Sequence, residues 1–392
     1  MEFLHNGLPQ KQLRTKKVKR KYARPARKKK RDEGEVLLKM LNRLNLAGFA
    51  FISQQYDHEV QGGSVIKPLA GRGRINSDAT VIRPVLESHK GVVVTQAINP
   101  VYSRIDCYWM AAAAIDSAIR KAIAVGAKMD KLALLDNFCW CSSDEPERLG
   151  QLKEAAKGCY DFAKQFGTPF ISGKDSMFND FKGYDEKGEK VKISIDPTLL
   201  ISSIGIIDDV NKTVSMDVKT DGDIVYVLGE TLAELGGSEY FCMLSDDGEN
   251  IGSRVPKVDA KKNKRLYETL SVAIEKGLVA SSMAIERGGL GVGLAKKAMA
   301  GGLGMVVDLA GVGEKIDNEE LLYSESQGRI VVSVDPKKAK KFEEMMKKCF
   351  CVEIGKVTKK KRLVIRDGGG EMVVDLGLDK MLKNYKERLA KY

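Results

Sequence analysis

At 392 residues the chain is too long for one compact core, and two domains are the natural expectation. Its 43% hydrophobic and 30% charged residues argue against disorder of the whole chain, and no apolar run approaches the length of a membrane span. The net charge of +12 is local: Lys11 to Arg31 holds thirteen Lys and Arg and no acid, and without them the remainder sits at about −1. Residues 1–34 show no amphipathic period. Glu35 to Leu46 places apolar residues at helical spacing and predicts a helix. Phe49–Gln54 is a short apolar segment, and the glycine-rich stretch Gly62–Arg74 reads as loop. The β-branched runs Thr80–Arg83 and Gly91–Gln96 predict strands. Trp109 to Ala127 predicts a helix with one face of small residues, able to lie close on a sheet, with Gly126 as its cap. Leu132–Leu135 reads as a buried strand with Asp136 at its end, Glu147–Phe166 as a helix ended by Gly167, and Pro169–Ser172 as a short strand. Leu199–Ile207 is a further apolar strand, and Asp208–Thr220 is a polar break.

Beyond that break, Asp223–Leu228, Gly304–Leu309, Arg329–Val334, Cys351–Thr358 and Arg362–Ile365 predict strands. Leu266–Lys276, Gly288–Ala300 and Pro336–Lys348 predict helices among them. The mixture gives an α/β (α+β) fold class. The expected organisation is a basic arm with a leading helix over 1–45, one α/β subdomain over 46–215 and a second over 216–392.

Met1–Gln10 leads into the basic run rather than an apolar stretch, so a signal peptide is not expected and the cytoplasm is. The seven cysteines are odd in number and irregular in spacing, and with only three histidines they read as reduced thiols rather than a zinc site. The basic run could bind RNA or another polyanion, or serve as a solvated linker or docking arm. It lacks the aromatic and glycine signature of RNA-binding modules, so nucleic acid is not the expected partner.

The chain has no G-x-x-x-x-G-K-[ST] loop and no G-x-G-x-x-G between a strand and a helix. Two polar clusters instead follow short buried strands: Asp136-Asn137, and Gly173-Lys174-Asp175-Ser176. Ligands in layered α/β proteins gather at strand ends. Gly173 would let backbone approach a phosphate, Lys174 supplies a point charge, and Asp136 and Asp175 offer hard oxygens for Mg²⁺. Ser176 can donate to a phosphate or substrate oxygen. The competing reading is a polar turn in which Asp175 and Ser176 cap local backbone. His58, beside acids in YDHEVQ, reads as a structural hydrogen-bonding group. Arg104 and Asp106 could orient a phosphate or hold the helix that follows.

LLDNFCW (Leu134–Trp140) and PFISGKDSMFND (Pro169–Asp180) resemble the second half of phosphoribosylformylglycinamidine synthase, the ATP-dependent amidoligase family of purine biosynthesis. The resemblance continues, in order, through EFLHNGLP (Glu2–Pro9), QYDHEVQGG (Gln55–Gly63), SDATVIRP (Ser77–Pro84) and INPVYSRIDCYWMAAAAIDSAIR (Ile98–Arg120). Downstream it covers DPTLLISSIGIIDDV (Asp196–Val210), LGETLAELGGSEY (Leu228–Tyr240), GGLGVGLAK (Gly288–Lys296) and YSESQGRIVVSV (Tyr323–Val334).

The resemblance implies a two-subdomain ATP-binding fold shared with aminoimidazole ribonucleotide synthetase. It implies two halves paired through their sheets, with active sites at the interface. The family activates the formamide oxygen of formylglycinamide ribonucleotide with the γ-phosphate of ATP. Ammonia from a glutaminase then displaces phosphate, and Mg²⁺ bridges the phosphates. Carried over position by position, the resemblance assigns Asp136, Gly173 and Lys174 to ATP, Asp175 to the metal, and Ser176, Glu325, Ser326 and Gln327 to substrate. It assigns no catalytic residue to this chain. Two departures bear on activity. The family's first half, with its catalytic histidines, does not match, which places Met1 within an internal linker of the longer protein. The HD-x-S-[DE]-G-G motif of some members is here Met283–Gly289 (MAIERGG), without the metal-binding Asp. The expectation is a chain active only with a first-half partner and a glutaminase. The alternative is a non-catalytic scaffold subunit holding ADP or ATP. A homodimer is also compatible with the family.

Overall fold

The computed structural model describes residues 2–7, 11–26, 31–56, 58–245, 248–313 and 316–392. Positions 8–9, 27–30 and 57, within the EFLHNGLP motif, the basic run and the YDHEVQ segment, lie outside the described residues.

The strands of the first subdomain are β1 (Ser64–Ile66), β2 (Leu69–Ala70), β3 (Ile75–Asn76), β4 (Ala79–Ile82), β5 (Gly91–Ile98), β6 (Leu132–Cys139), β7 (Phe170–Ser176), β8 (Asp180–Tyr184), β9 (Lys190–Ser194) and β10 (Thr198–Ile207). Six of them form one sheet in the order β1-β4-β5-β10-β6-β7; β2–β3 and β8–β9 are separate pairs. β6 and β7 run parallel, joined by the Pro146–Phe166 helix. Gly167 ends that helix in the left-handed conformation (φ 75°), which a residue without Cβ adopts at no steric penalty.

One face of this sheet is covered and the other is not. On the covered face Val93, Ala97, Leu134, Leu199 and Ile201 pack with the alanines of the Cys107–Ala124 helix. Ala111 to Ala114, Ala118 and Ala122 are all 0% exposed, so small side chains bring this helix close to the strands. Asp106 caps it by accepting from Trp109 N–H at 3.1 Å, while Arg104 pairs with Asp196 at 2.7 Å; both hold local structure. The opposite face leaves Ile82, Val94 and Ile206 37–51% exposed.

The second sheet contains β11 (Ile224–Leu228), β12 (Ser281–Ala284), β13 (Gly304–Asp308), β14 (Ile330–Val334), β15 (Cys351–Thr358), β16 (Arg362–Arg366) and β17 (Met372–Gly377). Their order is β12-β14-β11-β15-β13-β16-β17. Its second core also takes in the Glu33–Leu41 helix through Val36, Leu37, Met40 and Leu41. The leading helix is thus packed into the second subdomain, far along the chain from its own position.

The basic arm is docked over its described length. Lys16 N–H donates to Pro146 O at 2.8 Å, and Lys16 and Lys17 pair with Glu147 and Glu154 of the Pro146–Phe166 helix at 3.1 and 2.9 Å. Farther on, Tyr22 N–H donates to Ser253 Oγ at 2.6 Å, and Ala23 O accepts from Gly252 N–H at 2.8 Å. The arm therefore crosses from one subdomain to the other. No helix among the described residues is long and apolar enough to cross a membrane.

Candidate functional site

The GKDS segment is strand, not loop. β7 continues through Ser176, pairing Asp136 with Gly173, Asn137 with Lys174, Phe138 with Asp175 and Cys139 with Ser176. Residues 171–175 are exposed, because β7 is the sheet's edge and has a neighbour on one side only. Alternation along the strands divides the predicted residues. Asp136, Gly173 and Asp175 share the face of buried Leu134 and Phe138; Asn137, Lys174 and Ser176 share the open one.

On the first of these faces the approach is tight. A Cβ on Gly173 would lie 2.7 Å from Asp136 Oδ1, so only glycine leaves room for that carboxylate. Partial burial, with the charge of Asp175 nearby, raises the Asp136 pKa. A carboxylate pair of this kind suits Mg²⁺, which is commonly held by one or two carboxylates together with phosphate oxygens. Among the described residues no three His, Cys, Asp or Glu side chains gather into a metal site. On the other face Ser176 Oγ bonds to the Asn179 side-chain amide at 3.0–3.1 Å, and Lys174 is exposed.

Glu325, Ser326 and Gln327 sit elsewhere, in the buried seam between the subdomains, with exposures of 1%, 1% and 9%. Glu325 accepts from Tyr102 O–H at 2.5 Å, Glu239 N–H at 2.9 Å and Gly288 N–H at 2.8 Å. Ser326 Oγ accepts from Leu232 N–H, and Gln327 Oε1 accepts from Ser117 Oγ and Arg120. Behind them Asp116 pairs with Arg120 and also accepts from Asn263, Tyr267 O–H and Gly328 N–H. Both members of that ion pair are 0% exposed. The three residues are engaged within the chain, and the structure does not bring them to the β6–β7 edge.

A second constellation was not assigned from sequence. A cavity of about 330 Å³ lies between the first sheet and the second subdomain, lined by Asp78, Gln96, Lys121, Glu286, Arg287 and Lys296 among others. Lys121 Nζ pairs with Glu286 at 2.7 Å and donates to Gln96 O at 2.9 Å. Burial, reinforced by Glu286, pushes Asp78 up to about 6. Burial also opposes ionisation of Glu286, but Lys121 and Arg287 overcome it and hold that carboxyl low, at about 2. The signals were present in SDATVIRP and IERGG, but spacing within each motif does not show that they meet.

The N-terminal domain model of the AIR synthase related proteins matches residues 76–206, and the C-terminal domain model matches 220–368. The chain is 34% identical over 364 residues to the phosphoribosylformylglycinamidine synthase subunit PurL of Methanocaldococcus jannaschii, covering 92% of this chain and 47% of that protein. It is 36% identical over 315 residues to the same subunit of Thermococcus sibiricus, covering 79% and 40%. The structure of Thermotoga maritima PurL complexed with FGAR superposes with a TM-score of 0.67 at 19% identity, covering 89% and 53%. The chain thus spans about half the length of the curated relatives it matches. With both domain models matched in order on the two sheets just described, the chain belongs to the AIR synthase related family, as a relative of the PurL subunits of phosphoribosylformylglycinamidine synthase.

Proposed function

We propose that this chain is the ATP-binding second half of a phosphoribosylformylglycinamidine synthase, working in the cytoplasm with a separate first-half chain and a glutaminase. The observation that carries the proposal is the ordered match to PurL subunits over 92% of this chain but only 47% of the relative. Structures of T. maritima PurL complexed with FGAR, ATP and ADP, and of the T. maritima PurLQS assembly, support substrate, nucleotide and partner in the same direction. The uncovered sheet face with Ile82, Val94 and Ile206 is where a first-half chain, or a second copy, would pair.

In this reading Asp136 and Asp175 hold Mg²⁺, Gly173 lets a phosphate near the backbone, and Lys174 and Ser176 face phosphate or substrate oxygens. Mg²⁺, when bound, offsets charge on the phosphates during phosphoryl transfer. The formamide oxygen of formylglycinamide ribonucleotide takes the γ-phosphoryl group of ATP, releasing ADP. Glutamine-derived ammonia then adds to the carbon and phosphate leaves, giving the amidine. Glu325, Ser326 and Gln327 would act on substrate only through the seam they hold together.

The test is reconstitution. Amidine formation from ATP, glutamine and formylglycinamide ribonucleotide should appear only when a first-half chain and a glutaminase are added, and Asp136→Ala or Ser176→Ala should reduce it. Product made by the lone chain from free ammonia would refute the split arrangement. A second reading, a non-catalytic subunit that holds ADP or ATP, draws on the Met283–Gly289 stretch, which lacks the metal-binding Asp of the motif it resembles. Unchanged nucleotide affinity in Asp136→Ala, with reconstituted activity intact, would favour it.

A further inference from the structure

The turn that follows β7 carries a residue in a conformation that needs support. Phe178 stands in the left-handed region (φ 60°), which a side chain with a Cβ occupies only against steric opposition. Its ring is 50% exposed, so packing of that ring does little to hold it there. The exit of β6 supplies the support. Trp140, Cys141 and Ser142 are 0%, 0% and 6% exposed and form a fixed platform. Trp140 N–H donates to Ser176 O at 2.7 Å, and Asn179 N–H donates to Trp140 O at 2.8 Å.

Asp180 closes the far end of the turn on the same platform. Its side chain is 1% exposed. Oδ2 accepts from Ser142 N–H at 2.9 Å and also from the Ser142 hydroxyl. Lys192 lies 3.9 Å away and pairs more closely with Glu145, so the hold on Ser142 is the main contact of this carboxylate. A charged acceptor taking two donors from one residue is strong and directional. One residue back, Asn179 Nδ2 donates to Ser176 O at 2.9 Å, and Ser176 Oγ donates to Asn179 Oδ1 at 3.1 Å. A chain of contacts therefore runs from buried Ser142 through Asp180 and Asn179 to the Ser176 hydroxyl.

We propose that Asp180 is a positioning residue for the β7 edge: by anchoring the turn to the β6 exit it holds the Ser176 hydroxyl, through the Asn179 amide, where a ligand oxygen meets it. The proposal rests on the reading of Ser176 as a phosphate or substrate contact. Asp180 itself is closed inside the fold and acts only through its neighbours. Hydrogen bonds weaken steeply with misalignment, so a released turn should cost affinity at an edge that is otherwise intact.

The experiment compares the full chain with its variants by calorimetric titration with Mg-ATP and with formylglycinamide ribonucleotide, and by hydrogen–deuterium exchange over 136–145 and 172–184. Ser176→Ala identifies the ligand that meets the hydroxyl. Asp180→Ala should weaken that same ligand about tenfold and quicken exchange in both segments about tenfold or more. Asp180→Asn keeps an oxygen for Ser142 and should bring both readouts to within about threefold of the parent. Asn179→Ala cuts the link to Ser176 and leaves the anchor. It should weaken the ligand alike with exchange over 136–145 unchanged, and it serves as the test if Asp180→Ala does not fold. Val331→Ala, at a buried valine of the second sheet, should lower the melting temperature and move neither readout. Parent affinity in Asp180→Ala or Asn179→Ala, unchanged exchange in Asp180→Ala, or no rescue by Asp180→Asn would overturn the proposal. Parent affinity for both ligands in Ser176→Ala would overturn the reading of Ser176 and the positioning role with it, while quickened exchange in Asp180→Ala would show that the anchor exists without that role.

Discussion

The seam between the subdomains and the outer edge at β7 are built from similar polar residues and behave in opposite ways. In the seam, Asp116, Arg120, Glu325 and Gln327 are closed on one another, and few of their polar atoms lack a partner. At the edge, residues 171–175 are exposed, and Asp136 and Asp175 lie on one face as nearby like charges. A satisfied buried network fixes geometry, whereas an exposed edge with like charges is set to receive a ligand or a partner. Residue type alone does not separate the two; what separates them is whether the chain supplies its own hydrogen-bond partners.

The largest expected effect tests whether the seam is structural. Asp116→Ala would leave Arg120 buried without its carboxylate and would orphan Asn263, Tyr267 and Gly328 N–H. Breaking a buried pair from one side costs about 3–5 kcal/mol, so the urea midpoint should fall sharply. An unchanged midpoint would show that the seam does not hold the subdomains together.

Glu325 gives the same region a pH signature. Burial, partly offset by Tyr102 O–H and aided by Glu239, pushes its carboxyl up to about 7 from an ordinary 4.5. The folded chain then holds a proton that the unfolded chain releases between about pH 4.5 and 7, so its contribution weakens as pH rises through that window, by on the order of 3 kcal/mol. In Glu325→Gln the amide oxygen can still accept from Gly288 and Glu239 N–H, and the amide nitrogen faces the Tyr102 oxygen. Its melting temperature should therefore vary less between pH 5 and pH 8 than the parent's, which scanning calorimetry would resolve. A profile parallel to the parent's would place the titrating group elsewhere.

Gly173→Ala probes the edge. The new Cβ would push the Asp136 carboxylate aside at a position with exposed neighbours, so stability should change by only about 1 kcal/mol. Mg-ATP affinity should fall about tenfold, because the displaced carboxylate is a proposed metal ligand. A large stability loss with unchanged affinity would make the edge structural and erase its contrast with the seam.

The regular parts of this fold were legible where burial follows one period. Gly91–Ile98 alternates and is a strand; the alanine helix and Pro146–Phe166 match their expected bounds to within three residues. Burial could not guide the reading where the structure is exposed. Residues 173–176 read as a polar cluster beyond the strand because an edge strand can be polar along its whole length. The β8–β9 hairpin was missed because Phe181, Tyr184 and Ile193 are 60–69% exposed among lysines and acids, so no face repeats. β12 is four residues, too short to show a period. For the sites, the sequence puts Asp136 and Gly173 each after its own short strand; that the two strands lie side by side is a matter of register. The cavity draws on positions 78, 121, 287 and 296, which only tertiary packing brings together.

The basic arm crosses both regions and predicts the smallest effect. Several of its described lysines and arginines are matched to acids of this chain: Lys16 and Arg20 to Glu147, Lys17 to Glu154, Arg24 to Glu320. These pairs lie at the surface, where solvent and salt screen them, so the arm adds little to global stability. Its backbone bonds to Pro146, Ser253 and Gly252 are widely spaced along the arm. Deleting residues 11–26 should leave the melting temperature nearly unchanged, while trypsin should cut the intact arm faster as salt rises. Cleavage independent of salt would mean that the backbone contacts, rather than the charges, hold the arm. RNA that binds without releasing the arm to trypsin would mean that the lysines are free for a polyanion despite their acidic neighbours.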